Sequence, residues 1–455
     1  MAVALAGLAF GPGRSAAQSA DAGSAPAAPD PQIAAALRQV SAQHIQANIE
    51  KLVGFGTRST LSANDASSLS AGRGIVAARQ WIVSEFERYA KACGGCLDVE
   101  TYKFTEQPMD RIPSPTEITD VYAMMKGSDS ANSKRIVLVT GHYDSRNGSN
   151  DDAKTDAPGA NDDASGTAVS LECARVLSQM KFPATIIFLT VAGEEQGLNG
   201  SRHFAQMAKD QGWEIEAVLN NDIVGGDKNS GQIPTVVRVF SEGLPAAATD
   251  KEIQRIRNLG GENDSSSRQL ARYIADVGKT YDAGVKPMLV FRLDRFLRGG
   301  DHYSFNQQGF AAVRFTELRE DFHHQHQNVR TENGIEYGDL LKFVDFDYVA
   351  RVARLNAATL ASLASAPAPP ANVHLLTKDL ENDSTLTWEA SQGRLAVGYE
   401  VLWRSTSSPE WEHSLRVGNV TRATLQISKD EVIFAVRAVD GAGHRSLPVV
   451  PVPER

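Results

Sequence analysis

Apolar positions recur at helical spacing over residues 31–55 (IAAALRQVSAQHIQANIEKLVGF within it) and again over residues 74–92, which predicts two helices at the start of the ordered chain. Beyond them the pattern changes. Short continuous apolar runs at residues 135–140 (RIVLVT) and 184–191 read as strands buried on both faces. Residues 217–221, 287–291 and 311–315 add further strands. Helical stretches at 165–180 and 200–211 alternate with them, and a long helix at 340–363 closes this part. Strands alternating with helices predict an α/β sheet covered on both faces.

The pattern changes again after ASAPAPPAN, residues 364–372, a Pro/Ala linker. Short alternating strands separated by turns follow, at 373–376, 384–388, 399–404, 423–427 and 433–439. They predict a small β-sandwich over residues 373–455. The 455 residues exceed what one hydrophobic core usually serves, in keeping with two folded units.

Composition narrows the partners. A net charge of −9 without any Lys/Arg-rich run excludes nucleic acid as the expected partner. The first 30 residues hold an apolar stretch, Ala2 to Phe10, too short to span a bilayer, followed by small residues and low-complexity Ala/Ser/Pro. This reads as a secretory signal lacking its basic flank, or as a disordered Ala-rich tail. No other stretch has the length and apolarity of a membrane helix. Cys93 and Cys96 (CGGC) can close a small disulfide loop in an oxidising compartment, while Cys173 falls in an apolar helical pattern and reads as core.

The candidate chemistry lies at the strand ends, where α/β sheets bind ligands. GHYDS (141–145) follows the first buried strand and VAGEE (191–195) the second, while DIVGG (222–226) follows AVLNN. PGANDDASG (158–166) precedes a helix, and FHHQH (322–326) follows the last strand. One such residue has an ordinary explanation, and Asp163 reads as a helix N-cap. Five coincident strand ends do not. Imidazole and carboxylate without thiolate suit Zn, Co or Mn. Several carboxylates with two histidines fit two ions sharing a bridging carboxylate, with an unligated base left to take a proton from water.

The segments GHYDS, PGANDDASG, GEEQGLNGS, NNDIVGG, GDHYSF and FHHQHQN resemble the M28 family of zinc metallopeptidases, the co-catalytic aminopeptidase group. The match runs in order over residues 138–328, and the flanking helices extend it to about 45–365. The resemblance implies a mixed, largely parallel sheet flanked by helices over residues 31–363. It implies two zinc ions, with Co or Mn as substitutes. His142 and Asp222 would hold one, Glu195 and a distal histidine the other, and Asp162 would bridge them. It makes Glu194 the general base and Asp144 the group that orients His142. The implied reaction is hydrolysis next to a free α-amino group, on peptides with a free N-terminus, by a secreted or periplasmic enzyme.

Two departures from the family pattern stand out. Counting back four from Asn328, which replaces the usual Asp, gives His324 as the last ligand, with His326 as the neighbouring alternative. Gly300-Asp301-His302 stands where Ser-Asp-His is common, so Asp301 and His302 either support the site or form a turn before a helix. A specificity pocket is expected from residues 240–296. The distal segment resembles a fibronectin type III module through YEVLWR and FAVRAVDGAGHRS, its partner unassigned; Trp388, Tyr399 and Trp403 read as its core. Competing expectations are a glutaminyl cyclase or carboxypeptidase-type relative, or a non-catalytic binding protein.

Overall fold

In the computed structural model, residues 28–62, 66–228 and 231–454 are described; the signal-like stretch lies outside them apart from its last residues. The chain opens with helices α1 (Pro31–Leu37), α2 (Ala42–Val53), α3 (Ala66–Ser70) and α4 (Ile75–Ala92). The single helix expected over 31–55 is split because Ser41, in an extended conformation, caps α2 from a break in the chain.

Three strands follow, β1 (Asp98–Glu106), β2 (Thr116–Met125) and β3 (Arg135–His142), then α5 (Ala164–Leu177), β4 (Thr185–Val191), α6 (Asn199–Asp210) and β5 (Glu214–Asn221). Next come β6 (Val236–Ser241), α7 (Asp250–Asn258), α8 (Ser266–Tyr281), β7 (Lys286–Val290), α9 (His302–Gln307) and β8 (Ala312–Glu317). After a small hairpin, β9 (Arg330–Glu332) and β10 (Ile335–Tyr337), helix α10 (Phe346–Ser365) ends this unit.

The eight strands form one mixed sheet in the order β1-β2-β4-β3-β5-β8-β6-β7. Its central run, β4, β3, β5 and β8, is parallel. β3 and β4 are buried at every position, as strands covered by helices on both faces must be. Glycine permits the closest approach in this layer. A Cβ on Gly141 would lie 2.4 Å from the backbone of Gly166, and one on Gly166 would lie 2.1 Å from Asn221 O. The first turn of α5 therefore sits directly on the ends of β3 and β5.

Residues 364–372 are packed rather than a free tether. Ala364, Ala366 and Ala368 are buried, and Arg135 Nη1 donates to Ala366 O (2.8 Å). The distal unit has one sheet ordered β15-β12-β11-β17 and a second ordered β14-β13-β16. These strands are β11 (Ala371–Leu376), β12 (Ser384–Glu389), β13 (Gly398–Ser405), β14 (His413–Gly418), β15 (Arg422–Leu425), β16 (Val432–Val439) and β17 (Val452–Glu454). Trp388, Tyr399 and Trp403 lie in its core. It docks against α8: Arg272 Nε donates to Pro409 O (2.6 Å) and Arg404 Nη2 pairs with Asp264 Oδ1 (2.6 Å). No helix among the described residues is long and apolar enough to cross a membrane.

Candidate metal centre

The C-terminal ends of β3, β4 and β5, the loop before α5 and the segment after β8 converge on one cleft of ≈ 480 Å³. His142, the last residue of β3, is fully buried. Its Nδ1 lies 3.3 Å from Asp144 Oδ1, and its Nε2 lies 3.2 Å from Asp162 Oδ1. The other oxygen of Asp162 faces His326 Nε2 at 2.9 Å, and that same nitrogen is 3.1 Å from Glu195 Oε2. One carboxylate thus divides its two oxygens between two imidazoles. Ligand atoms of Asp162, Glu195 and His326 cluster within 4.8 Å, as do those of His142, Glu194 and Asp222.

The distal histidine differs from the expectation. His324 turns away from the cleft: its Nδ1 is hydrogen-bonded to Asp227 Oδ2, and its ring stacks on Phe343 with centroids 3.7 Å apart. His326 reaches Asp162 and Glu195 instead, with its backbone in the left-handed region (φ 53°). Asn328, from which the count runs, accepts from Gly148 N (2.9 Å).

Asp144 ties two strand ends together. Besides facing His142 it accepts from Glu194 N (3.4 Å), Glu195 N (3.2 Å) and the Thr60 hydroxyl (3.0 Å). Its position fixes both glutamates. Asp163 caps α5 through Gly166 N (2.9 Å), and its other oxygen accepts from His142 N (3.0 Å). It is a brace between helix and strand. Asp301 and His302 are buried behind the cleft, where His302 Nε2 bonds Leu293 O (2.9 Å).

Several supporting residues carried no sequence signal. Arg58, fully buried, donates to the carbonyls of Tyr143, Leu52, Pro158 and Gly159, pinning the loop that carries Asp162 to the end of β3. Burial lowers its pKa to about 10 against the pull of nearby carboxylates. Asp339 accepts from Asn161 N (2.8 Å) and Asp162 N (2.7 Å). Arg314, inside the apolar run of β8, holds Asp222 Oδ1 at 2.8 Å and Asp294 Oδ2 at 2.9 Å. Nothing in a single sequence separates such arginines from surface ones.

The cluster fits a cation. His142 Nε2 is buried and makes no hydrogen bond, and Glu195 Oε1 is likewise unpartnered. Burial opposes a charged imidazole, yet Asp144 and Asp162 raise the pKa of His142 well above its usual range. The surroundings call for positive charge at that nitrogen, which a divalent ion supplies. Burial pushes Glu194 well above the ordinary carboxylate range, with His142 pulling the other way.

An α/β sheet whose strand ends deliver imidazoles and carboxylates into one cleft is the architecture of a metallopeptidase. The chain belongs to peptidase family M28, whose model matches residues 120–344. A probable zinc metalloprotease of Pyrenophora teres f. teres (strain 0-1) is 48% identical over 434 residues, covering 94% of this chain and 88% of the relative. One from Pyricularia oryzae is 46% identical over 433 residues, covering 93% and 85%. The LapA aminopeptidase of Legionella pneumophila shares the fold, with a TM-score of 0.51 at 20% identity over 73% of this chain and 74% of that one.

The stretch 240–296, expected to supply the specificity pocket, contributes little to the lining of this cleft. Of that range only Arg295 lines it, and residues 297–299, Arg111, Arg146, Gly197 and Leu198 form its walls.

Proposed function

We propose that the protein is a zinc-dependent exopeptidase that removes N-terminal residues from peptides, holding two ions. The observation that carries this reading is Asp162, whose two oxygens face His142 and His326 from between them. His142 and Asp222 would hold one ion, Glu195 and His326 the other, with Asp162 shared. Bound there, the ions would supply Lewis acidity toward a carbonyl oxygen and a water.

The chain's own groups do the rest. Glu194 is half-buried and lines the cleft, with its own amide and that of Glu195 anchored on Asp144. A carboxylate held there receives a proton from the attacking water and returns it to the leaving amine. Asp144 fixes the orientation of the His142 ring. The closed Cys93–Cys96 disulfide supports a place in an oxidising compartment, secreted or periplasmic. The four- and three-stranded sheets of the distal unit support a fibronectin type III-like module that braces α8.

The test is a panel of peptides with free and acetylated N-termini, run alongside elemental counting of zinc. Cleavage confined to free amines, with two ions per chain, is the expected result. Cleavage of acetylated peptides from the other end would replace this reading with a carboxypeptidase. One ion per chain with cyclisation of N-terminal Gln would replace it with a cyclase.

A further inference from the structure

The floor of the cleft is acidic, but its walls are not. Arg111, Arg146, Arg295, Arg298 and Arg314 all line it. Three of these are matched by carboxylates of the chain. Arg314 pairs with Asp222 and Asp294, Arg295 with Asp294 and Glu320, and Arg146 Nε with Glu195 Oε2 at 2.9 Å. Arg146 competes there with His326 for the same glutamate oxygen, so an ion bound to Glu195 leaves its guanidinium facing the cleft less compensated.

The other two stand differently. Arg298 is exposed and forms no ion pair among the described residues; its guanidinium rests 5.6 Å from the centroid of the Phe322 ring. The nearest carboxylate to Arg111 belongs to Asp110, 3.9 Å away and 95% exposed, while its Nη1 donates to Glu195 O (3.2 Å). Neutralising the floor does not account for either.

The backbone gives an independent sign. Arg111 (φ 63°), Leu198 (φ 60°) and Leu297 (φ 55°) all line the cleft in the left-handed region that favours glycine. Such conformations are unfavourable for side-chain-bearing residues and concentrate at ligand clamps. Leu297 is fully exposed and Phe296 nearly so, with Arg292 stacked on Phe296 at 3.8 Å. The wall segment 296–298 thus offers an unpaired cation beside uncovered apolar surface.

We propose that this wall selects acidic peptides, with Arg298 and Arg111 receiving a substrate carboxylate while the substrate's α-amino end sits over the metal-binding floor. The inference rests on the aminopeptidase reading and names its substrate class. Guanidinium forks match carboxylates in two-point geometry. The carboxylate has two sources, an Asp or Glu side chain near the N-terminus or the terminal carboxylate of a short peptide.

The test uses the zinc-loaded full chain with matched tripeptides. Leu-Gly-Leu amide is the neutral reference. Leu-Gly-Leu with a free C-terminus tests the terminal carboxylate, and amides with Glu at the first or second position test the side chain. One charge-assisted hydrogen bond corresponds to about tenfold. At least one acidic series should therefore show kcat/KM about tenfold above the reference, mainly through KM, and the advantage should shrink as salt rises. Arg298→Glu and Arg111→Glu should each pull that ratio to one or below, and Arg298→Lys should restore part of it. Equal kcat/KM across the series, or discrimination that survives both reversals, overturns the inference and leaves the aminopeptidase reading intact.

If no free-amine peptide is cleaved, the aminopeptidase reading fails on its own. Calorimetric binding of acetylated Leu-Gly-Leu, as acid and as amide, then decides the wall's role. Tighter binding of the acid that Arg298→Glu abolishes upholds the carboxylate site. Equal binding overturns it.

Discussion

His326 Nε2 lies 2.9 Å from Asp162 Oδ2, although one residue precedes α5 and the other follows β8. Under the proposed two-ion reading, this contact makes His326 and not His324 the histidine that serves the centre. His326→Ala should weaken one ion's binding by more than the roughly 10–100-fold that loss of a supporting partner costs. His324→Ala should keep both ions and instead lower stability by about 1–3 kcal/mol, since it removes a buried hydrogen bond and a stacked ring. Elemental zinc content and a chelator titration on each variant separate the two outcomes.

Glu194 and Glu195 are adjacent, yet they belong to different groups of candidate ligands. Glu194→Gln should reduce kcat by about 10²–10⁴ with zinc retained. Glu195→Gln should lower zinc content. Comparable turnover in the Glu194→Gln protein would rule out its role as base.

Arg58 shows how far the site depends on a residue outside it. Four main-chain carbonyls accept from its buried guanidinium. Arg58→Met should cost at least about 3 kcal/mol in denaturant unfolding, because buried acceptors lose their donor. Lysine should not rescue it, since a point charge cannot reproduce the fork.

His444 links the distal unit to the start of the chain. It lies 2.7 Å from Asp440 Oδ2 through Nδ1 and 3.2 Å from Asp30 Oδ2 through Nε2. Burial disfavours the imidazolium, but Asp440 and Asp30 outweigh it and the folded pKa is raised. A raised folded pKa means the proton stabilises the fold. The contribution is complete below the unfolded value of about 6.5 and is lost as pH rises through the raised value. Protection of the α1 amides, taken relative to their intrinsic base-catalysed exchange, should therefore fall on moving from acid to alkaline pH, and the His444→Gln variant should lack that fall.

Much of the central architecture was legible in the chain. Continuous apolar runs gave β3 and β4 because strands buried on both faces have no polar side to alternate with. The placement of chemistry at their ends follows from the same rule, which marked the segments 141–145, 191–195 and 222–226, and the family resemblance singled out His142, Asp144, Glu194, Glu195 and Asp222 within them. The edge strand β1 and its antiparallel neighbour β2 were missed because exposed positions along β1 and the polar Thr116, Glu117, Thr119 and Asp120 of β2 break the apolar signal. Helix α8 was missed for another reason. Arg268 and Arg272 are buried on it, and their charges interrupt the apolar stripe. Only tertiary packing satisfies them, through Glu262 O, Phe291 O and Pro409 O.

The choice between His324 and His326 was likewise beyond the sequence. Both lie in one short histidine-rich segment, and spacing along a chain does not fix which side a loop presents. That was decided by Asp227 and Phe343 capturing one ring, which left the other to face Asp162. Local pattern determined which chemistry the chain carries and at which strand ends. Contacts between distant segments determined which atoms meet.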